Sequence, residues 1–194
     1  MNALALAVAL PAGLLAADFV SALAHWLGDT YFQTDTPVLG AIVGPFRLHH
    51  HDPEAFRRHS FWERNRNNFW AALPLGAMAA WLTPRAVASG HALLGFTLAV
   101  AAVVLAGATQ IHAWAHDAGA PSAVRWLQRN GILLSPERHA RHHRGAHDGS
   151  YGIVNGWANA VLDRTQLLRR AERWASRLGF RPAIAEPSSL RRVR

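Results

Sequence analysis

Apolar residues run almost unbroken from position 4 to 23 (LALAVALPAGLLAADFVSAL), interrupted only by Asp18 and Ser21 near the end. A helix of that length crosses a hydrocarbon layer roughly 30 Å thick. No basic residues precede it, which sets it apart from a cleaved signal peptide. A second apolar stretch covers residues 69–88, broken by Pro74, Pro84 and Arg85, and a third, residues 92–111, is the most continuous. The pattern predicts three spanning helices. Residues 151–162 add an apolar patch too short to span, suited to a re-entrant or interfacial position. Further on, Leu167, Leu168, Ala171, Trp174, Ala175 and Leu178 form a helical stripe opposite Arg169, Arg170, Arg173 and Arg177. That pattern fits an amphipathic helix lying on anionic lipid headgroups. The expected architecture is all-α: a polytopic membrane helical bundle of three to four spans over residues 1–181, followed by a disordered basic tail at 182–194.

Charge sharpens the topology. The chain carries 16% charged residues, a net charge of +8 and no lysine, so its basic groups are all arginines. Arg47, Arg57, Arg58, Arg64 and Arg66 lie between the first and second stretches, and Arg125, Arg129, Arg138, Arg141 and Arg144 follow the third. The connection near residues 84–91 has only Arg85. Basic loops stay cytoplasmic, so the N-terminus is expected outside and both arginine-rich segments inside. Arginines that track loops beside apolar spans exclude nucleic-acid binding as the reading of the charge. The arginine-only composition fits a GC-rich genome, and the expected location is a bacterial inner membrane.

The chemistry lies in the histidines. There are twelve, mostly clustered: His25; His49, His50, His51 and His59; His112 and His116; His139, His142, His143 and His147. The predicted topology brings every cluster to the cytoplasmic face and leaves only His91 on the other. His112 and His116, and likewise His139 and His143, have the four-residue spacing that puts two side chains on one helix face. With no cysteine, any metal must take nitrogen or oxygen ligands. A zinc protease would need H-E-x-x-H, a haem protein would pair histidines within facing spans, and flavin or NAD binding would need G-x-G-x-x-G; none is present. Eight or more neutral imidazoles with open positions suit two ions of the iron type, as in histidine-rich membrane desaturases and hydroxylases. Asp18 and Asp29 share a face with His25, placed either to orient a ligand's tautomer or, for Asp18, to cap the span.

Several blocks, in order, resemble the lipid desaturase domain of the Kua-type plasmanylethanolamine desaturases. They are Asp18 through His25-Trp26, Asp29-Thr30, Phe46-Arg47-x-His49-His50-x-Asp52-Pro53, Arg58-His59 and Asn65. Gln110-Ile111-His112-x-Trp114-x-His116 and Leu127-Gln128 follow, then Leu134-Ser135-Pro136 through His139-x-x-His142-His143 and His147, then Tyr151, Gly156-Trp157 and Asn159. The resemblance covers about residues 18–163. It implies an oxygen-dependent enzyme that desaturates the alkyl chain of an ether phospholipid to a vinyl ether, using two iron ions and O2, with no flavin, haem or NAD of its own. Carried over by motif, the metal ligands are His25, His49, His50, His59, His112, His116, His139, His142, His143 and His147. His51 stands where the family has an apolar residue and is left out; Tyr31-Phe32 replace the family's Trp-Gly. Asn65 and Asn159 are placed to ligate, to orient a ligand or to cap a helix, and Arg47, Arg138 and Arg141 to hold the lipid phosphate. Electrons must come from an external donor of the cytochrome b5 or ferredoxin type. Two alternatives stand beside this reading: an acyl-lipid desaturase or hydroxylase using the same site, and a non-enzymatic membrane metal-binding protein.

Overall fold

Residues 3–31 contain no residue pattern that stops a helix apart from Pro11, and the computed structural model carries one helix, α1, through all of them (Ala3–Tyr31). The structure describes residues 3–52, 58–144 and 147–183. Among these the remaining elements are α2 (Gly40–His51), α3 (Phe61–Ala88), α4 (Ala92–Ala106), α5 (Ala108–Ala115), α6 (Ser122–Arg129), α7 (Pro136–His139), α8 (Trp157–Thr165) and α9 (Leu167–Arg177). No strand occurs among the described residues, so the expected all-α class holds.

The long helix α3 starts earlier than its apolar stretch because a capping box sets its first turn. Glu63 N donates to Ser60 Oγ while the Glu63 carboxylate accepts from Ser60 N. Its first two turns are therefore polar, bearing Arg64, Asn65, Arg66, Asn67 and Asn68. The third apolar stretch departs from the expected single helix. It breaks at Gly107, and α4 and α5 meet at 55°. Asn68 Nδ2 donates to the carbonyls of Leu105 (2.9 Å) and Ala106 (2.7 Å), which satisfies backbone acceptors that the break releases. The consequence is functional: α5 is re-aimed and carries His112 inward.

Helices α1, α3 and α4 pack side by side through small residues. A Cβ on Gly13 would stand 2.5 Å from Val100 Cγ1, so α1 approaches α4 more closely there than alanine would permit. Thr83 Oγ1 donates to the carbonyl of Gly95, joining α3 to α4. The larger core cluster joins Leu14 and Ala17 of α1 with Ala101, Leu105, Ala108 and Ile111, and with Leu134, Ile153 and Val154 from the C-terminal half. A second gathers Ala22, Trp26, Tyr151, Ala158, Leu162 and Leu168. The outward faces are apolar too: Leu6, Leu10 and Leu15, Trp70, Leu73 and Trp81, and Leu93, Leu94 and Val103 are all exposed. Such a continuous apolar surface suits lipid rather than water.

By length and composition, α1 is the one helix among the described residues that can cross a membrane, or one of two if bent α4–α5 counts as a span. The sequence predicts three; α3 has the length without the uniform apolarity. In the 151–162 patch, residues 151–155 are buried against α1 and lead into α8. The stripe of α9 is as expected in pattern, with Leu168 in the core and Leu167, Trp174 and Leu178 exposed. Ala183 N donates to Thr30 O and its carbonyl accepts from Gln33 Nε2, so the chain stays on α1 to that point. The rest of the expected tail lies outside the described residues.

Candidate metal centre

Four segments deliver the imidazoles. α1 supplies His25 and Asp29, one turn apart on one face; the last turn of α2 supplies His49 and His50. α5 supplies His112, with His116 at its C-cap. The four-residue helix α7, started by the Ser135 cap and Pro136, supplies His139, and the following turn brings His142 and His143. Two groups result. His49, His112, His116, His139 and His143 offer ligand atoms within 4.8 Å of one another, as do His25, Asp29, His50 and His142. The groups adjoin: the His49 and His50 rings are 4.5 Å apart, and those of His142 and His143 5.6 Å.

The geometry of His139 decides what the first group is for. Its Nε2 stands 2.8 Å from His112 Nε2, 2.8 Å from His116 Nε2 and 2.9 Å from His143 Nε2. A ring nitrogen carries either one proton or one lone pair, so hydrogen bonding cannot account for three such contacts. A shared cation can. With metal–imidazole bonds of about 2.1 Å, ligand nitrogens at right angles stand about 3.0 Å apart. The second group repeats the pattern, with His142 Nε2 3.0 Å from His50 Nε2. Asp29 Oδ2 lies 3.2 Å from His25 Nε2, 3.6 Å from His142 Nε2 and 3.7 Å from His50 Nε2. The residues therefore fit two metal ions of nitrogen and oxygen preference.

Backbone carbonyls fix the tautomers. His25 Nδ1 donates to Tyr151 O (3.0 Å) and His142 Nδ1 to Gly149 O (2.8 Å), which leaves each Nε2 lone pair facing the group. Burial favours the neutral form of His49, His50, His139, His142 and His143. It pushes His49 and His139 far below the ordinary histidine value and His143 down to about 3, with neighbouring imidazoles adding to the effect. His50 falls to about 2, burial outweighing the opposing pull of Asp29. Burial also lowers His142, His25 adding to it, against Asp29 and the Gly149 carbonyl. Neutral imidazole is the form that binds metal.

Eight of the ten predicted ligands fall into the two groups. His147 stands at the edge, stacked on His50 at 4.5 Å and outside both groups. His59 does not join them; it is exposed, on the segment before α3. His91 is exposed beside the α4 N-terminus, away from the cluster, as expected. The side chain of His51 lies outside the described set. Asp29 was expected only to orient a ligand, and it stands among the ligand atoms themselves.

Asp18 does not touch His25. Its Oδ1 accepts from Val154, Asn155 and Gly156 N–H, and its Oδ2 from Ala158 N–H. It thus clamps the loop that presents Tyr151 O to His25, a role between the two that the sequence left open. Asn159 pins the same loop, accepting from Gly152 N–H at 2.7 Å. Buried Asn65 donates to Phe61 O and Gln110 Oε1, fastening α3 to the start of α5. Arg47 donates to Asp29 O and Arg138 to Asn155 O, so both brace backbone near the cluster, and Arg141 is exposed.

Beside the cluster lies a cavity of about 920 Å³. Val20, Ala24, Gly28, Leu105 and Ala108 form its apolar wall, while His25 and His49, one from each group, form part of its lining. His59, Arg64 and Arg66 are also on its wall; Arg47, Arg138 and Arg141 are not. The arginine signal for the cavity was missed in the sequence because a helical turn, not a motif, brings Arg64 round to it.

The chain matches the family model described as the lipid desaturase domain over residues 14–183. It is 40% identical over 170 residues to the plasmanylethanolamine desaturase of Myxococcus xanthus, covering 86% of this chain and 60% of that protein. It is 37% identical over 166 residues to plasmanylethanolamine desaturase 1 of Mus musculus, covering 83% and 61%. It is 34% identical over 183 residues to the chloroplastic fatty acid desaturase 4 of Arabidopsis thaliana, covering 92% and 54%. The chain thus spans little more than half of these relatives' lengths. No solved structure matches it.

Proposed function

The chain belongs to the lipid desaturase domain family, and on that premise we propose that it is an oxygen-dependent membrane desaturase that converts an alkyl ether phospholipid to its vinyl ether. The observation that carries this reading is the junction of cluster and cavity: one imidazole from each ligand group forms the wall of an apolar chamber wide enough for a lipid chain. Two iron ions held by the two groups would supply reductive activation of O2, so that two hydrogens leave adjacent chain carbons and, with two electrons and two protons, two waters form. His49, His112, His116, His139 and His143 would hold one ion, and His25, Asp29, His50 and His142 the other, with His147 beside them.

The chain's own residues do the rest. Val20, Ala24, Gly28, Leu105 and Ala108 bind the alkyl chain and exclude water from it. Tyr151 O and Gly149 O orient His25 and His142 by accepting their Nδ1 protons. The exposed apolar faces of α1, α3 and α4 seat the protein in lipid, in a bacterial inner membrane with the cluster toward the cytoplasm. The two reducing equivalents come from an external cytochrome b5- or ferredoxin-type donor.

The 34% identity to a plastid protein named as a fatty acid desaturase favours a second reading, in which an acyl chain enters the same cavity. Expression in a host without plasmalogens, fed an alkyl ether lipid, separates the two. Release of aldehyde by acid supports vinyl-ether formation. A new acyl double bond without aldehyde supports the second reading, and no product from iron-loaded protein with a working reductant supports neither.

A further inference from the structure

Arg64 is the cation on the cavity wall that the fold leaves incompletely used. It is half-buried, lines the cavity beside Asn67 and Asn68, and its Nε is sealed from solvent with no hydrogen-bond partner. Its Nη2 donates to His59 O, and its Nη1 makes a long 3.4 Å contact with Gln110 Oε1. No carboxylate forms an ion pair with it among the described residues; Asp117 acts on it only through space. Glu63, its neighbour, is committed to the Ser60 cap. A guanidinium so placed, with donors to spare and partial removal from water, suits a doubly hydrogen-bonding anion such as a phosphate.

Lipid geometry narrows the choice. In an ether phospholipid the carbons to be desaturated lie six or seven bonds from phosphorus, on the order of 8 Å. The phosphate must therefore sit close to the metals. Arg64 meets that condition, since Gln110 ties it to the turn just before His112. We propose that Arg64 binds the substrate's phosphate and thereby sets which carbons of the alkyl chain stand before His25 and His49. This deepens the desaturase reading and rests on it. Arg66, exposed on the same cavity wall, contributes field rather than a fixed contact.

The test is lipid retention by the metal-loaded full chain in detergent, read by native mass spectrometry, so that it does not depend on turnover. An alkyl-acyl glycerophospholipid is compared with the matching alkyl-acyl glycerol, which lacks phosphate. Wild type is expected to favour the phospholipid. Arg64→Gln is expected to bind it about tenfold more weakly with the neutral lipid unchanged, Arg64→Lys to recover part of the loss, and Arg85→Gln at the far end of α3 to match wild type. An Arg64→Gln protein that keeps the full preference overturns the proposal. So does inorganic phosphate displacing the phospholipid as well as another phospholipid does, since the site would then take a soluble anion. A further arm uses no variant: a phospholipid with a photoreactive headgroup should label wild type around residues 59–67, and labelling confined to Arg138 or Arg141 overturns it. If retention behaves as expected while no vinyl ether is ever produced, the phosphate site stands and the reaction assignment fails.

Discussion

At the scale of single residues, His139 is the point on which the first metal group turns, because its Nε2 meets three others. His139→Ala is expected to strip metal from that group and to lower activity by more than about the 10–100-fold that losing an outer partner costs. His91→Ala should leave both unchanged; elemental analysis and product assay check the pair. His49, His50, His139, His142 and His143 also set a pH dependence. Their folded values lie below the ordinary one, so below about pH 6.5 the unfolded chain takes up protons that the fold refuses. Stability is thus complete above that value and is lost as pH falls. Chelated protein should show a thermal midpoint that drops as pH falls from about 6.5 to 5, and a flat profile would contradict the burial assigned to His50 and His143. His139 and His143 were legible from their four-residue spacing, and His50 from the family resemblance. Asp29 was legible only as a neighbour, because spacing gives a shared helix face and not the direction from which His50 and His142 approach it.

At the scale of elements, joints matter more than helices. Asp18 ties four N–H groups of the 152–158 segment to α1, and each bond to a charged acceptor is worth about 1.5–3 kcal/mol. Asp18→Asn is expected to cost on the order of 3 kcal/mol and to loosen His25, whose carbonyl partner Tyr151 rides on that loop. Thermal unfolding and metal retention, measured together, check both effects. Gly13 is the contact between α1 and α4. A valine there would collide with Val100 and Thr97, destabilising the pair by about 1–3 kcal/mol, as overpacking does, while Gly76→Ala, where a Cβ meets nothing, should be neutral in comparison. Neither joint shows in the hydropathy profile, which records what a residue avoids and not which backbone it meets. The bend at Gly107 escaped for the same reason: residues 92–111 are apolar throughout, and Asn68 on another helix is what caps the break.

At the scale of the whole molecule, metal binding should be coupled to the fold, since four distant segments supply the two candidate ligand groups. Binding to the native state alone stabilises it. Chelation is therefore expected to lower the thermal midpoint by several degrees, and restored iron to return it, with about two ions per chain by elemental analysis. A midpoint that ignores chelation would mean that the helices position the histidines without help from the metal. The molecule is asymmetric along α1, with exposed leucines at one end and the candidate ligands at the other.

The amino-acid order determined the helical class, the apolar stretches and where the arginines and histidines cluster along the chain, because those are properties of local period and composition. Tertiary structure alone decided how eight imidazoles divide into two groups with Asp29, that Asp18 clamps backbone and not a ligand, and that Arg64 and not Arg47, Arg138 or Arg141 reaches the cavity. The physical reason is common to all three. Each depends on the angle and distance between segments far apart in the chain, and local periodicity carries no information about either.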